Sequence, residues 1–314
     1  MKRVLITGVN GFIGRALAGS CLGRGDLVQG ISSSGDRALS GGLAHFERMR
    51  LPDAGLLGCL RKWQPDLVFH CAGSAVPALS VADPDWDFRS SVPVMQNLLE
   101  GLRRECPSAH VVMLSSAAVY GQPGSLPVAE DAPSRPLSPY GYHKWMGELI
   151  CREYAEIYGI RTTCARVFSA YGPGLEKQIV WDAIGRFRGG APGVFHGTGA
   201  ETRDFIYIED LVEALQLLAS RTEGEAHGIY NVASGSETRI DELVARIANL
   251  LAVEPDRWSF SGSTSTGIPQ HWRADISRIA KLGYSPRVGL EEGLRRTVEA
   301  ALVGPPAPSG IPAS

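Results

Sequence analysis

Thr7-Gly8-Val9-Asn10-Gly11-Phe12-Ile13-Gly14 decides the fold. This stretch follows an apolar run from Arg3 to Thr7 and leads into Arg15-Ala16-Leu17-Ala18 in helical register. Gly8, Gly11 and Gly14 allow close backbone approach with no Cβ in the way. The helix start offers free N–H donors at the positive end of its dipole. Together they suit the pyrophosphate of a dinucleotide, with Asn10, Phe12 and Ile13 lining the turn. A plain glycine-rich turn is the alternative; its place at the first strand of an alternating pattern favours the ligand.

Outward from this turn, apolar runs bounded by turn residues recur at Leu27 to Ile31, Leu67 to Ala72, His110 to Ser115 and Thr162 to Val167. Each reads as a strand buried on both faces. Stretches of helical period lie between or after them: Ile13 to Leu22, Ala54 to Trp63, Val92 to Glu105 and Tyr142 to Tyr158. Strand and helix in alternation predict an α/β, Rossmann-type doubly wound parallel sheet. Residues 1–170 are the expected dinucleotide-binding domain, with later strands contributed from about 200–235. Beyond residue 170 the pattern is broken by Gly172, Pro173, Gly174, Gly197 and Gly199. We expect 171–303 to be mainly a smaller, interleaved substrate-binding region, with helices at Ile208 to Ala219 and Ile240 to Leu251, the second capped by Thr238 or Asp241. The proline-rich tail, 304–314, reads as disordered.

Composition removes several classes of function. Among 314 residues, 44% are hydrophobic and 20% charged with a net charge of -2, so neither nucleic acid nor a membrane surface is an expected partner. Six cysteines without a C-x-x-C pair predict reduced thiols in a cytoplasmic protein and no metal site. The first apolar run is too short for a signal peptide, and no stretch is long enough to span a bilayer.

After the second strand comes Ser32-Ser33-Ser34-Gly35-Asp36-Arg37. An NAD enzyme is expected to place a carboxylate at that strand end, on the ribose hydroxyls. Serines with Arg37 nearby suit a 2′-phosphate instead, so the charge logic favours NADP over NAD, unless Arg37 is only a solvated surface charge.

Farther on stand Ser115-Ser116-Ala117-Ala118-Val119-Tyr120-Gly121 and Ser138-Pro139-Tyr140-Gly141-Tyr142-His143-Lys144. Tyr140 and Lys144, four apart, share one helix face, so the ammonium is expected to draw the phenol's pKa down from about 10 toward working pH. Ser116, at a strand end, would hydrogen-bond the same substrate oxygen. Ser116, Tyr140 and Lys144 form the candidate catalytic trio; the bland alternative is a surface helix beginning after Pro139.

These motifs resemble the extended short-chain dehydrogenase/reductase family, the NAD-dependent epimerase/dehydratase group acting on nucleotide sugars. The spacing G-x-x-G-x-x-G matches, and the likeness covers nearly the whole chain. Further landmarks are His70-Cys71-Ala72-Gly73, Arg166 to Gly174, Thr202 to Leu211 and Tyr230 to Gly235. The resemblance implies that Lys144 holds the nicotinamide ribose and that Arg203 contacts the sugar nucleotide's diphosphate, against a simple local pairing of Arg203 with Asp204. It further implies that Arg50, Leu51, Cys71, Ala72, Gly73 and Val167 border the cofactor, and that Ser74 and Ser169 border the substrate. Departures stand beside these: Ser169 replaces the asparagine of R-x-F-N, Ser91-Val92 replaces Asn-Val, and a late arginine is missing ahead of Gly267-Ile268-Pro269, although His271 and Arg273 follow.

The same comparison narrows the reaction. Family dehydratases carry Asp-Glu after the catalytic hydroxyl, and methyl groups at Ala117-Ala118 cannot transfer protons. Ala118 and Gly174 stand where epimerising reductases hold cysteine and histidine. An NADPH-dependent 4-keto reductase of a nucleotide-linked hexose, in deoxysugar biosynthesis, is therefore the leading expectation. A 4-epimerase with retained NAD is the alternative, and a non-catalytic dinucleotide scaffold the third reading. The resemblance also implies a homodimer, through Val92 to Glu105 and Tyr142 to Tyr158 in a four-helix bundle.

Overall fold

The structure, a computed structural model, describes residues 1–35, 42–189, 193–220, 226–263 and 269–303. Arg37 and the tail 304–314 lie outside the described residues. The chain divides into two compact units: residues 1–121, 130–167 and 212–231 form the first, and 122–129, 168–211 and 232–314 the second.

In the first unit, strands β1 (Arg3–Thr7), β2 (Leu27–Ser32), β3 (His45–Arg48), β4 (Leu67–His70), β5 (His110–Ser116) and β6 (Thr162–Val167) join strand His227–Val232 in one seven-stranded sheet. From that last strand the order runs β6, β5, β4, β1, β2, β3, and the pairings of β1 through β6 are all parallel. This is the doubly wound Rossmann-type sheet the alternation predicted. The order reverses between β4 and β1, and ligands of such sheets bind at the carboxyl ends of strands beside that switch. The edge strand β3 escaped the sequence reading because its residues are half exposed and carry no apolar run.

Helices α1 (Phe12–Gly23), α2 (Leu56–Trp63), α3 (Pro77–Ala82), α4 (Pro84–Arg89), α5 (Val92–Glu105) and α6 (Pro139–Tyr158) complete this unit's framework. The apolar stripe of α5, Leu98, Leu99 and Leu102, is fully buried in one cluster with Leu56, Leu60, Val68 and Val111. Burying each such side chain stabilises the unit by about 1.5–3 kcal/mol. Sequence periodicity began α6 at Tyr142, yet the helix begins at Pro139. Ser138 caps it, its Oγ accepting from the Gly141 amide at 3.3 Å, and Pro139 occupies the first turn, where a missing N–H costs nothing. Gly159, at φ 71°, ends it in the left-handed conformation.

The second unit is built from pieces. Strands Ser169–Tyr171 and Phe205–Tyr207 pair in parallel, Thr202–Arg203 pairs with Thr238–Arg239, and Gly193–Phe195 with Trp258–Phe260. Helices Gln178–Arg188, Ile240–Leu250 and Leu290–Val303 pack with them. Neither expected cap serves the second of these: its N-cap is Arg239, whose guanidinium is taken by Asp241. Among the described residues no helix is long and apolar enough to cross a membrane.

Candidate active site

At the switch point, β1 ends in the glycine turn. Gly8 adopts φ 69°, and a Cβ there would stand 2.8 Å from the Ala72 amide nitrogen, so only glycine lets the turn lie against the end of β4. A Cβ on Gly14 would collide with the Gly8 carbonyl oxygen. The Gly8 and Val9 amides bind the Ile31 carbonyl at 2.7 and 3.2 Å, and the Asn10 amide donates to Ser34 and Gly35 carbonyls, joining the turn to the end of β2. No side chain caps α1 at Gly11, and its first turn, with Phe12 and Ile13, holds no acid. Uncapped amides and a cradle that a methyl group would fill fit a dinucleotide pyrophosphate.

Beyond β2, Ser32 is buried and its hydroxyl lies 3.1 Å from that of Ser34, while Ser33 and Arg50 are exposed and Leu51 packs partly into the core. Below the turn, Thr7 Oγ1 lies 2.8 Å from His70 Nδ1 and accepts from the Ala72 amide. Burial, reinforced by the charge of Lys144, pushes the His70 imidazole down to about 3 and keeps it neutral. Burial pushes the Cys71 thiol up to about 12, so it is no nucleophile.

Ser116, Tyr140 and Lys144 meet at the end of β5. Gly141 permits this: a Cβ there would stand 2.6 Å from the Ala118 carbonyl oxygen, so the first turn of α6 can press against the turn that follows Ser116. The Tyr140 amide donates to the buried Ser80 hydroxyl at 3.0 Å, fixing that turn from the side of α3. The phenol shares a hydrogen bond with Ser116. Lys144 Nζ donates to the Leu114 carbonyl at 3.1 Å and lies 5.6 Å from the centre of the Tyr140 ring.

One expectation is corrected here. Tyr140 is 9% exposed, and burial pushes its phenol up to about 12 instead of down; the Ser116 hydrogen bond lowers it and the charge of Asp87 raises it. The ammonium does not reverse this because it is directed at a backbone carbonyl on β5. Beside Lys144, at Gly73, the hydroxyls of Ser74 and Ser91 are buried with no hydrogen-bond partner among the described residues. Val167 closes β6 and is buried.

The remaining sequence candidates belong to the second unit. The Ser169 amide donates to the Asp204 carbonyl. Arg203 is partly buried; its Nη1 donates to the Thr202 and Gln270 carbonyls at 2.7 and 3.3 Å, and its guanidinium lies 5.3 Å from the Trp272 ring. Desolvation draws it down to about 10. Arg203 and Asp204 do not form the local pair considered above. The Asp204 carboxylate instead accepts from the Ser234 amide and hydroxyl and from the Gly235 and Ala274 amides.

Sequence reasoning missed two buried pairs of polar side chains. Glu148, on α6, binds Arg166 at 2.7 Å and accepts from Ser115. His143 lies 2.5 Å from Asp87 of α4. A histidine one residue before Lys144 and an aspartate between Trp86 and Phe88 were the only signals. Sequence offers nothing to join positions 56 residues apart.

A switch-point glycine cradle and a Ser–Tyr–Lys cluster on one sheet define an extended short-chain dehydrogenase/reductase. The chain belongs to the NAD dependent epimerase/dehydratase family, whose model matches residues 4–233, and it is an enzyme of the nucleotide-sugar type. It is 31% identical to a UDP-glucose 4-epimerase of Mycolicibacterium smegmatis over 95% of this chain and 97% of the relative. It is 28% identical to a GDP-6-deoxy-D-mannose reductase of Pseudomonas aeruginosa, over 94% of this chain and 95% of that one. Among solved structures, MoeE5 in complex with UDP-glucose and NAD superimposes with a TM-score of 0.88 at 30% identity, covering 96% of this chain and 98% of its own. MoeE5 has also been solved with UDP-glucuronic acid and NAD.

Proposed function

We propose that this chain is a 4-epimerase of a UDP-linked hexose that works with retained NAD. The observation that carries the reading is the Ser116–Tyr140 hydroxyl pair beside Lys144, with only Ala117-Ala118 after it and hence no second acid or base for elimination. Epimerisation at C4 needs one proton carrier, used in both directions.

Tyr140 is that carrier: burial keeps its phenol protonated in the free protein, and beside the positive charge of a bound dinucleotide it would give that proton up to solvent, so that the phenolate takes the proton of the C4 hydroxyl as C4 is oxidised and returns it as C4 is reduced, while Ser116 orients that oxygen and donates to it. When bound, the dinucleotide supplies the hydride acceptor and donor for C4 and a positive charge beside the site. Lys144, whose ammonium donates to the Leu114 carbonyl, would hold the dinucleotide's ribose when it is bound. Gly8, Asn10, Gly11, Phe12, Ile13 and Gly14 cradle the pyrophosphate; Ser32, Ser33, Arg50 and Leu51 border the adenosine; Cys71, Ala72, Gly73 and Val167 border the nicotinamide side. Ser74, Ser169 and Arg203 hold the sugar nucleotide, Arg203 through the diphosphate.

This reading replaces the NADPH reductase expected from the second strand. NAD in the MoeE5 complexes and the UDP-glucose 4-epimerase relative support it. The reductase keeps two supporting observations, the acid-free end of β2 at Ser32 to Ser34 and the GDP-6-deoxy-D-mannose reductase relative. Two assays divide them. Purified protein is expected to interconvert UDP-glucose and UDP-galactose, or the corresponding uronates, without added cofactor. Consumption of NADPH only with a 4-keto sugar nucleotide would overturn the epimerase. We further propose a homodimer, supported by Tyr142, Met146 and Leu149, exposed on one face of α6, and a cytoplasmic location, supported by six free thiols.

A further inference from the structure

Among the described residues, the charge of Asp87 bears on the Tyr140 phenol and raises it. Its side chain is fully buried. One oxygen lies 2.5 Å from His143 Nδ1, and the other finds no hydrogen-bond partner among the described residues. Burying a carboxylate with one oxygen unanswered is costly, and a core that wanted only packing would place an apolar residue there. His143 sits one turn along α6 from Tyr140 and next to Lys144. Phe88 closes edge-on against its imidazole, ring centres 5.4 Å apart. The first turn of α6 is thus braced twice, by Ser80 on the Tyr140 amide and by Asp87 on His143.

We propose that Asp87 and His143 form a buried positioning pair that fixes the first turn of α6 and sets the charge felt by the Tyr140 phenol. The proposal rests on the reading of Tyr140 as proton carrier. The remaining charges around that turn are otherwise engaged. On α4, Asp85 and Arg89 pair with each other at the surface, and α3 carries no titratable side chain. Along α6, Glu148 is taken by Arg166 of β6, and on α5 Glu100 is taken by Arg103 and Arg104. After β5, the Tyr120 hydroxyl donates to Asn231. Lys144, on the phenol's own helix, and neutral His70 complete the set.

The test titrates the phenolate absorbance of NAD-loaded protein, each variant read against its own Tyr140→Phe counterpart. Asp87→Asn keeps an acceptor for His143 and removes the charge, so the phenol's midpoint is expected to fall by about one pH unit with the melting temperature near the parent's. His143→Asn keeps a donor toward Asp87 and the carboxylate's charge, so its midpoint stays at or above the parent's. Asp87→Ala removes brace and charge together; it is expected to lower kcat about tenfold with KM unchanged. A brace without an electrostatic role predicts superimposable titrations for the parent and Asp87→Asn. That result, or a midpoint that falls equally in Asp87→Asn and His143→Asn, overturns the proposal. A parent that epimerises no UDP-sugar while Asp87→Asn still shifts the phenol would remove the proposed reaction and leave the pair standing.

Discussion

The two units hold their chemistry by opposite means. In the first, Ser116 ends a seven-residue strand and Tyr140 and Lys144 open a 20-residue helix; the helix start is tied to a buried serine of α3 and to a carbonyl of β5. In the second, Arg203 and Ser169 sit on strands of two and three residues beside Asp204, whose backbone carbonyl takes the Ser169 amide and whose buried carboxylate takes three further amides. A proton carrier must be held to a fraction of an ångström, and regular elements do that; recognition tolerates shorter pieces, and variable connections supply it. Changes in the first unit are therefore expected to act on kcat, and changes in the second on KM and on local stability.

The hardest test of this division is Tyr140→Phe. Removing one hydroxyl at the end of β5 is expected to lower kcat about 10²–10⁴-fold while KM and the melting temperature stay near the parent's. Steady-state kinetics with a UDP-hexose measures it, and a variant that fails through KM instead would break the contrast.

Asp204→Ala attacks the other side. It leaves the amides of Ser234, Gly235 and Ala274 without their acceptor, and we expect a loss of about 3 kcal/mol by denaturant unfolding. The pH dependence carries a sign. Burial raises the Asp204 carboxyl above its ordinary 3.8 in spite of its four donors, so the folded state binds a proton more readily than the unfolded one. Its contribution is greatest below the unfolded value and declines as pH climbs from 3.8 through the raised folded value. The alanine variant is expected to lack that slope, and identical slopes in both proteins would remove Asp204 from this role.

Gly8→Ala tests the cradle from which the fold was read. A left-handed backbone and a backbone neighbour at 2.8 Å leave the methyl no room, and the turn must shift. We expect NAD affinity to fall by more than about tenfold, a change of 1.4 kcal/mol or more, measured by calorimetric titration.

What was legible in the sequence follows the same division. The glycine turn, the α5 stripe and the Tyr140–Lys144 spacing could be read because each is local: glycine answers a backbone demand, and period 3.6 answers a helix face. The edge strand β3 and the six-residue helices α3 and α4 lack a long enough apolar period to declare themselves. The Tyr140 ionisation was misjudged for a related reason. Spacing places Lys144 on the right face of α6, but only three dimensions reveal that its ammonium turns to Leu114 and that Asp87 stands nearby. The local pairing of Asp204 with Arg203, the bland alternative to a ligand role for Arg203, is removed by amides brought from residues 30 and 70 positions away, which claim the carboxylate.

That reassignment gives the smallest and most specific prediction. With Asp204 occupied, the Arg203 guanidinium holds two backbone carbonyls and the face of Trp272 among the described residues, and it is desolvated enough to be drawn down to about 10. A planar cation in that state has donors and charge in reserve for an anionic ligand, and its fork matches two phosphate oxygens at once. Arg203→Lys keeps the charge and loses the fork. The expected result is a rise in KM of about five- to tenfold with kcat within about twofold, since the group binds ground state and transition state alike. Inhibition by UDP should weaken by the same factor, because the diphosphate is common to substrate and inhibitor. A fall in kcat with unchanged UDP inhibition would place Arg203 with the proton chemistry and erase the distinction between the units.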